Sequence, residues 1–202
     1  MERTDLSQTP SERVDAARNR QRLLATAREM LAECGPDRIT MDALAERSGL
    51  GKGTVFRRFK TRAGIFQALL DDGEYAFQER VLSGPPPLGP GAPPLERLVA
   101  YGKARVRFLI DHHDIARSAL DGRQPVPARS QTPLSRMHIR MLLGQIELGP
   151  ADRDLLAVQL TAALDGPLLL YISSTDLGQA EQDAERRLAD GWQDIVRRVC
   201  RS

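Results

Sequence analysis

A short capped helix, a glycine corner and a second helix rich in positive charge follow one another between residues 39 and 60. Thr40 predicts the start of the first helix, because its hydroxyl can accept a hydrogen bond from an unpaired backbone N–H of the first turn. Gly49 predicts its end, since glycine adopts positive φ without a steric penalty and a tight corner between helices requires that conformation. The second helix is predicted to begin near Lys52. This order and spacing are typical of a helix-turn-helix, in which the second helix enters the DNA major groove.

The segment from Arg47 to Arg62 contains six basic residues and no acidic residue. Such a run attracts the phosphate backbone of DNA. Phe56 and Phe59 are interleaved with the charges, and Thr54 adds a hydroxyl that can reach a phosphate or a base edge. The alternative is a solvated basic helix on an ordinary helical protein. Such helices rarely follow a capped short helix and a glycine corner, so a DNA-reading segment is favoured.

Residues 51 to 62, GKGTVFRRFKTR, resemble the DNA-binding domain of the TetR family of transcriptional regulators, and the resemblance covers about fifty residues of the chain. Gly51 stands where this family often has serine, Arg58 where it often has histidine, and Ala63 where it often has an acidic residue. The resemblance implies an all-α fold. An N-terminal three-helix domain would carry the helix-turn-helix, and a larger C-terminal helical domain would bind a ligand and dimerise.

The positive charge of the chain is concentrated near its start. Residues 1–62 carry 13 Lys and Arg against 9 Asp and Glu, whereas residues 63–202 carry 16 against 18. This distribution favours one local nucleic-acid face over a generally basic protein. We expect a disordered tail over residues 1–11, a DNA-binding domain over residues 12–60 and a ligand-binding and dimerisation domain over residues 61–202.

Apolar residues recur three or four positions apart along most of the chain, a pattern that predicts helices and no strands. Predicted helices cover residues 12–34, 41–47, 95–112, 134–147 and 150–173, and further helices begin at Lys52, Thr61 and Asp176. Two proline-rich segments, residues 83–94 and 122–133, are predicted to be loops because proline cannot continue a helical hydrogen-bond ladder. For the same reason Pro167 predicts a kink.

Neither a membrane span nor a disulfide is expected. No apolar run approaches the roughly 20 residues that a spanning helix needs, and the polar N-terminal segment lacks the apolar core of a signal peptide. Cys34 and Cys200 lie near opposite ends of the chain without paired spacing. We therefore expect a cytoplasmic protein without a membrane partner.

Sequence motifs for catalysis are absent: there is no Gly-rich phosphate loop, no Gly-x-Ser-x-Gly elbow and no Cys-x-x-Cys pair. We therefore expect neither an enzyme nor a cofactor. His112 and His113 are adjacent, whereas metal ligands on one helical face need i and i+4 spacing, so exposed imidazoles at a helix end are expected there. Asp165 lies among leucines and needs a partner, for which a structural contact is favoured over a ligand.

The resemblance implies roles for the residues of the DNA reader. Each subunit of a homodimer would place residues 52 to 58 in successive major grooves of a palindromic operator, about 34 Å apart. Thr54, Arg57 and Arg58 are the expected base-contacting residues, since arginine to guanine is the commonest specific contact. The residues expected to contact the DNA backbone are Thr40, Lys52, Phe56, Lys60 and Arg62, and Gly53 lies in the same DNA-binding segment.

Family members usually enclose a small-molecule cavity between the long connecting helix and the central helices of the second domain. By position, the candidate lining residues are Tyr101, Arg105, Phe108, Met137, Met141 and Leu142, together with Asp165. Ordinary core packing is an equally open interpretation of these residues.

The two C-terminal helices resemble those through which family members dimerise as a four-helix bundle. The expected interface residues are Leu160, Leu164, Leu168, Ala184, Leu188, Trp192 and Ile195. Closure of a monomer's own core is the alternative interpretation.

These patterns predict a sequence-specific DNA-binding transcriptional regulator, with a repressor released from its operator by a small-molecule effector as the favoured form. Activation is compatible with the same sequence. A sequence-neutral DNA-binding protein is one alternative. A small-molecule-binding helical protein or enzyme with an incidental basic helix is another. The sequence identifies neither the effector nor the operator.

Overall fold

The structure, a computed structural model, describes residues 10–120, 132–172 and 181–200. Within these ranges the chain is helical and contains no strand, so the prediction of an all-α fold is confirmed. The elements are α1 (Pro10–Cys34), a 3-10 turn (Pro36–Arg38), α2 (Met41–Ser48), α3 (Lys52–Phe59), α4 (Arg62–Ser83), α5 (Pro94–Asp111), α6 (His113–Ala119), α7 (Thr132–Leu143), α8 (Arg153–Ile172) and α9 (Glu181–Val199).

The chain divides into two compact units within α4, after Asp72. The predicted domain boundary lies after residue 60. The predicted tail, residues 1–11, lies mostly outside the described residues, and α1 begins at Pro10.

The first unit, here called the head, consists of α1, α2, α3 and the first part of α4. Apolar side chains from all four helices fill its core, because each helix buries one stripe of residues spaced three and four apart. These side chains are Leu23, Leu24, Ala27, Met30, Ile39, Leu44, Ala45, Val55, Phe59, Ile65, Phe66 and Leu69.

Three predicted helix ends of the head are confirmed. The hydroxyl of Thr40 accepts a hydrogen bond from the backbone N–H of Ala43 at 3.1 Å and caps α2. Gly49 ends α2 with φ of 67°, in the left-handed region. The hydroxyl of Thr61 accepts from the N–H of Gly64 at 3.0 Å and caps α4. These contacts satisfy backbone groups that the first and last turns leave unpaired.

A γ-turn joins α3 to α4. Lys60 has φ of 64° and ψ of −43°, and the N–H of Thr61 donates to the carbonyl oxygen of Phe59 at 2.7 Å. This conformation is strained for a residue with a side chain. It brings the two helices so close that a Cβ on Gly64 would lie 2.0 Å from the Phe59 carbonyl oxygen. Glycine at position 64 is therefore required by the corner.

The second unit contains the rest of α4 and α5 to α9. Its core is a set of apolar side chains from all of these helices except the short α6: Phe77, Val81, Leu98, Tyr101, Val106, Ile139, Leu142, Leu143, Ala157, Leu160, Leu164, Trp192 and Val196. α5 and α9 approach closely at Gly102, where a Cβ would lie 2.0 Å from the indole Nε1 of Trp192. That indole N–H donates to the carbonyl oxygen of Leu98 at 3.1 Å.

A buried ion pair crosses the second unit from α4 to α5. Arg105 Nη1 lies 2.5 Å from Glu74 Oε2, and the two side chains are 5% and 6% exposed. The guanidinium also lies over the rings of Phe77 and Phe108, at 5.6 and 5.1 Å from their centroids. Both the carboxylate and the aromatic faces stabilise the buried positive charge.

The structure changes several predicted helix limits. α7 ends at Leu143 and not at residue 147, because the next N–H groups bond three residues back and close the helix in a tight turn. α6 was not predicted. The Asp176 cap and most of the predicted loop at 122–133 lie outside the described residues, as does the Pro167 side chain. Among the helices that the structure describes, none is both long enough and apolar enough to cross a bilayer.

Candidate nucleic-acid interface

The DNA-reading candidate α3 is anchored to the head by one face and exposes the other. Val55 and Phe59 are 0% and 6% exposed. At 3.6 residues per turn, Arg57 lies on the opposite side of the helix from these two anchors, and Gly53 lies beside it. Arg57 is exposed. A helix held in this way presents Arg57 outward on a fixed support.

Side chains on the flanks of α3 are also accessible. Phe56 is 52% exposed, and Thr54 is half-buried. Lys52 Nζ lies 2.7 Å from Asp42 Oδ1 of α2, but both side chains are about two thirds exposed. An exposed pair of this kind contributes little stability, so Lys52 is free to exchange its carboxylate for a phosphate. Lys60 is exposed at the γ-turn.

Arg62 makes contacts within the head that the sequence did not predict. Its Nε donates to the carbonyl oxygen of Ile39 at 2.8 Å, and its Nη2 donates to that of Pro36 at 2.6 Å. The guanidinium carbon lies 4.9 Å from the centroid of the Phe66 ring. Arginine thus ties the segment before α2 to the start of α4. Arg62 therefore positions the helices of the head, and its expected phosphate contact stays a prediction.

A groove of about 480 Å³ separates α1 from α3. Its lining residues are Asp15, Ala16, Asn19, Arg20, Leu23, Thr54, Arg57 and Arg58. Partial burial, and the nearby charge of Arg20, lower the pKa of Arg58 below its usual value. Arg57 and Arg58 are both exposed and both line the groove. The sequence patterns did not single out Asn19 or Arg20, because nothing in a helical period shows which neighbour faces a groove.

Asp72 joins α4 to α1. It accepts from Arg20 Nη1 at 3.2 Å and also pairs with Arg28. Burial alone would raise the pKa of Asp72, but the hydrogen bonds and charges of Arg28 and Arg20 outweigh it and lower this pKa. The carboxylate thereby fixes Arg20 at the edge of the groove.

In the second unit, the predicted ligand-binding residues do not form one set. Tyr101, Arg105 and Leu142 are buried and Phe108 is half-buried. Met137 and Met141 are 62% and 43% exposed. The prediction that these methionines line an interior cavity is corrected, because α7 turns Ile139, Leu142 and Leu143 towards the core and leaves Met137 and Met141 on its outer side.

Several polar groups lie inside the second unit around Tyr101. Its hydroxyl donates to Ser135 Oγ at 2.7 Å, and its ring lies 4.8 Å from that of His138. Burial, and the charge of Arg97, lower the pKa of His138 to about 4. Burial also raises the pKa of Tyr101, with smaller contributions in the same direction from Glu74 and Asp165. His138 is therefore neutral at physiological pH.

Three buried nitrogens of this region have no hydrogen-bond partner among the described residues: Arg97 Nε, Arg105 Nε and His138 Nε2. Asp165 is half-buried and does have an interaction partner. The main buried carboxylate is instead Glu74, which the sequence did not indicate because it follows the acidic pair Asp71 and Asp72 on a long helix.

The predicted dimer residues fall into different environments. Leu160, Leu164 and Trp192 are at most 3% exposed within a single chain, so their assignment to an intersubunit surface is corrected. They pack α8 and α9 onto the rest of the second unit. Ala184 and Leu188 are half-buried, Ile195 is 42% exposed, and the Leu168 side chain lies outside the described residues.

The adjacent histidines His112 and His113 are less exposed than the sequence analysis expected. The Nδ1–H of His112 donates to the carbonyl oxygen of Phe108, and that of His113 donates to Ile110, each at 2.8 Å. Both rings are partly buried. Within the part of the chain that the structure describes, no group of three His, Cys, Asp or Glu residues is placed to hold a metal ion.

The fold and the groove-bearing head define a helix-turn-helix protein with a second, larger helical unit. Residues 23–69 match the family model for bacterial regulatory proteins of the tetR family. The chain is similar to this family over that segment, which runs from α1 into α4 and contains the whole helix-turn-helix.

The similarity in sequence to these relatives covers about a quarter of the chain. An HTH-type transcriptional regulator of Staphylococcus aureus (strain USA300) is 38% identical over 53 residues, which are 26% of this chain and 29% of that relative. The same figures hold for its counterpart in strain NCTC 8325. The match thus spans less than a third of the length of these relatives.

The similarity in fold extends over most of the chain. A TetR-family transcriptional regulator from Pectobacterium atrosepticum superposes with a TM-score of 0.74 at 15% identity, covering 96% of this chain and 99% of that one. A variant of TetR from Acinetobacter baumannii in complex with minocycline gives a TM-score of 0.59 at 17% identity, covering 89% and 97%. At these identities the comparisons establish the fold alone.

Proposed function

We propose that this chain is a DNA-binding transcriptional regulator that recognises a specific operator through α3. The observation that carries the proposal is the arrangement of α3: two buried anchors, Val55 and Phe59, fix a helix whose outer side presents Arg57. Arginine on the outward side of a rigid helix is suited to bidentate contact with guanine in the major groove. Lys52 and Lys60 lie exposed near the two ends of the same helix and would hold the phosphates on either side.

Selection of bound sequences from random DNA tests this proposal, followed by binding assays on the selected operator and on a random duplex. We expect Arg57→Ala to cost about 1–3 kcal/mol on the operator and to relax its sequence preference. Lys52→Ala should weaken both duplexes alike and is the matched control for loss of one charge. Equal losses on both duplexes for Arg57→Ala would instead support a sequence-neutral DNA-binding protein.

The proposed regulator acts as a homodimer on a palindromic site, since a two-fold protein matches a two-fold operator. Apolar side chains remain exposed on the two helices expected at the interface: Leu155 and Val158 on α8, and Ile195 and Val199 on α9, each between 39% and 53% exposed. A second copy would cover them. Sedimentation of Val158→Asp and Ile195→Asp should show monomers, whereas Leu82→Asp, which alters an exposed leucine of α4, should leave the mass unchanged.

Repression with release by a small molecule is the form of regulation that we propose. The buried polar groups around Tyr101, Arg105 and His138 in the second unit are candidates for the effector contacts. The A. baumannii TetR variant of similar fold is described with minocycline bound. Any effector that favours a conformation with low DNA affinity must lose affinity for the DNA-bound protein by the same factor. A screen for compounds that release the operator, repeated with Tyr101→Phe, tests this assignment.

A further inference from the structure

The groove between α1 and α3 gathers positive charge. Arg20 lines it from α1, and Arg57 and Arg58 line it from α3. Among its lining residues, all within the described chain, Asp15 carries the single carboxylate, and that carboxylate lies 3.8 Å from exposed Arg18. The groove thus contains three guanidinium groups and one carboxylate, and that carboxylate also interacts with Arg18 outside the groove. The groove has a surplus of positive charge and is suited to an anion.

The two arginines that face each other across the groove are held differently. Arg20 is fixed by Asp72, which it shares with Arg28. Arg58 has no hydrogen-bond or ion-pair partner among the residues that the structure describes. Loss of some solvent around the guanidinium, and to a smaller extent the charge of Arg20, lower the pKa of Arg58, although its side chain as a whole is exposed. Like charges held together in this way are stabilised when an anion binds between them.

We propose that this groove binds one phosphate of the DNA backbone between Arg20 and Arg58, so that α1 belongs to the DNA-contacting surface. The inference rests on the proposed function, because it assigns a second contact to the same DNA. It also separates the two arginines of α3: Arg57 contacts bases and Arg58 contacts the backbone.

Two further lining residues fit this occupant. Asn19 and Thr54 supply an amide and a hydroxyl, groups that donate to phosphate oxygens in protein–DNA complexes. Asn19 and Arg20 precede the segment, residues 23–69, that matches the family model. The α1 side of the groove is therefore a feature of this chain beyond the matched segment.

The salt dependence of DNA binding tests the proposal, because the slope of log K against log[salt] counts the phosphates that the protein neutralises. We suggest measuring it on the selected operator and on a random duplex for Arg20→Gln, Arg58→Gln and the double variant. Arg22→Gln is the matched control, since Arg22 is an exposed arginine of the same helix that does not line the groove. Thermal unfolding of each variant reports whether the head remains folded.

We expect each single variant to lower the magnitude of the slope by roughly 0.9 on both duplexes. The double variant should lower it by no more than this amount, because both arginines bind one phosphate and neither holds it alone. The slope of Arg22→Gln should be that of the parent. A doubled change in the double variant would mean two separate phosphates and would overturn the shared site.

Other outcomes overturn the proposal in distinct ways. Unchanged slopes in folded variants would remove the groove from the DNA surface, and a loss confined to the operator would make Arg58 a base-contacting residue. The parent and Arg58→Gln can also be titrated with inorganic phosphate while amide chemical shifts are recorded by NMR. Shifts around the groove in the parent that are absent from Arg58→Gln would identify a site for a free anion. Binding of that anion with unchanged DNA slopes would also overturn it. Failure of the parent to bind any duplex at low salt would refute the proposed function itself.

Discussion

Arg105 Nη1 and Glu74 Oε2 lie 2.5 Å apart in the interior of the second unit, where both side chains are at most 6% exposed. The pair links α5 to α4 within this unit. Removal of one partner leaves the other charge buried, which costs far more than the pair contributes relative to apolar residues. The interaction therefore specifies how α4 and α5 pack more than it adds net stability.

Glu74→Gln should lower the free energy of unfolding by about 3–5 kcal/mol, because it leaves the Arg105 guanidinium buried without a carboxylate. Urea denaturation monitored by circular dichroism measures this loss. The double variant Glu74→Leu/Arg105→Met removes both charges and should be more stable than Glu74→Gln. A double variant that is less stable than the single one would show that the pair has large net stability.

The predicted fold is confirmed because it depends on local signals. Thr40, Gly49 and Thr61 determine helix ends through their own backbone and side-chain chemistry, and each acts as the sequence predicts. Val55 and Phe59 lie four residues apart, so the helical period places both on the buried face of α3. Signals of this kind need no knowledge of which helices are neighbours.

What the sequence could not predict concerns residues whose role depends on a neighbour distant in sequence. Arg62 lies in a basic run, and nothing in that run indicates its hydrogen bonds to carbonyls 23 and 26 residues away. Leu160 and Trp192 carry the expected period, but a period does not show whether the apolar face meets the same chain or a second copy. Met137 lies on the outer side of α7 for the same reason. Tertiary packing decides these cases.

Close packing of α5 on α9 predicts a large effect at Gly102. A Cβ there would overlap the Trp192 indole, 2.0 Å away, so Gly102→Ala should cost at least 1–3 kcal/mol despite the better helix propensity of alanine. Gly191 lies within α9, and a Cβ there meets nothing within 4 Å. Gly191→Ala is therefore the matched control and should stabilise by about 0.5–1 kcal/mol. Thermal unfolding of both variants measures these changes in stability. Equal changes for Gly102→Ala and Gly191→Ala would refute the close contact between α5 and α9.

The positioning role of Arg62 predicts that its replacement changes the free energy of unfolding and not the salt dependence of DNA binding. Arg62→Ala should lower the free energy of unfolding of the head by about 1.5–3 kcal/mol, since two hydrogen bonds from a charged donor are lost. The salt slope of DNA binding should stay unchanged. Arg62→Lys keeps the charge but cannot reproduce both contacts, and should be destabilised as well. A slope reduced by about one without a loss of stability would instead support a direct contact between Arg62 and a phosphate.

The pairing of Asp72 with Arg20 and Arg28 predicts a dependence of stability on pH. Because the folded-state pKa of Asp72 is lowered, its contribution is complete above its unfolded pKa of about 4 and is lost as the pH falls through the folded value. Asp72→Asn should therefore be less stable than the parent at pH 7, and the two should converge below about pH 4. Chemical denaturation across this range measures the difference. Asp71→Asn keeps an oxygen that can accept from Gln67 and removes no ion pair among the described residues, so the difference between this variant and the parent should not follow that of Asp72→Asn.

The γ-turn at Lys60 separates backbone strain from side-chain charge. Lys60→Gly should raise the free energy of unfolding by about 1 kcal/mol relative to Lys60→Ala, because glycine adopts positive φ without a Cβ penalty. Both variants lose the same charge, so both should reduce the salt slope of DNA binding by roughly one if Lys60 holds a phosphate. Urea denaturation and anisotropy titrations on one pair of variants give both quantities. A glycine variant less stable than the alanine variant would show that the turn is unstrained.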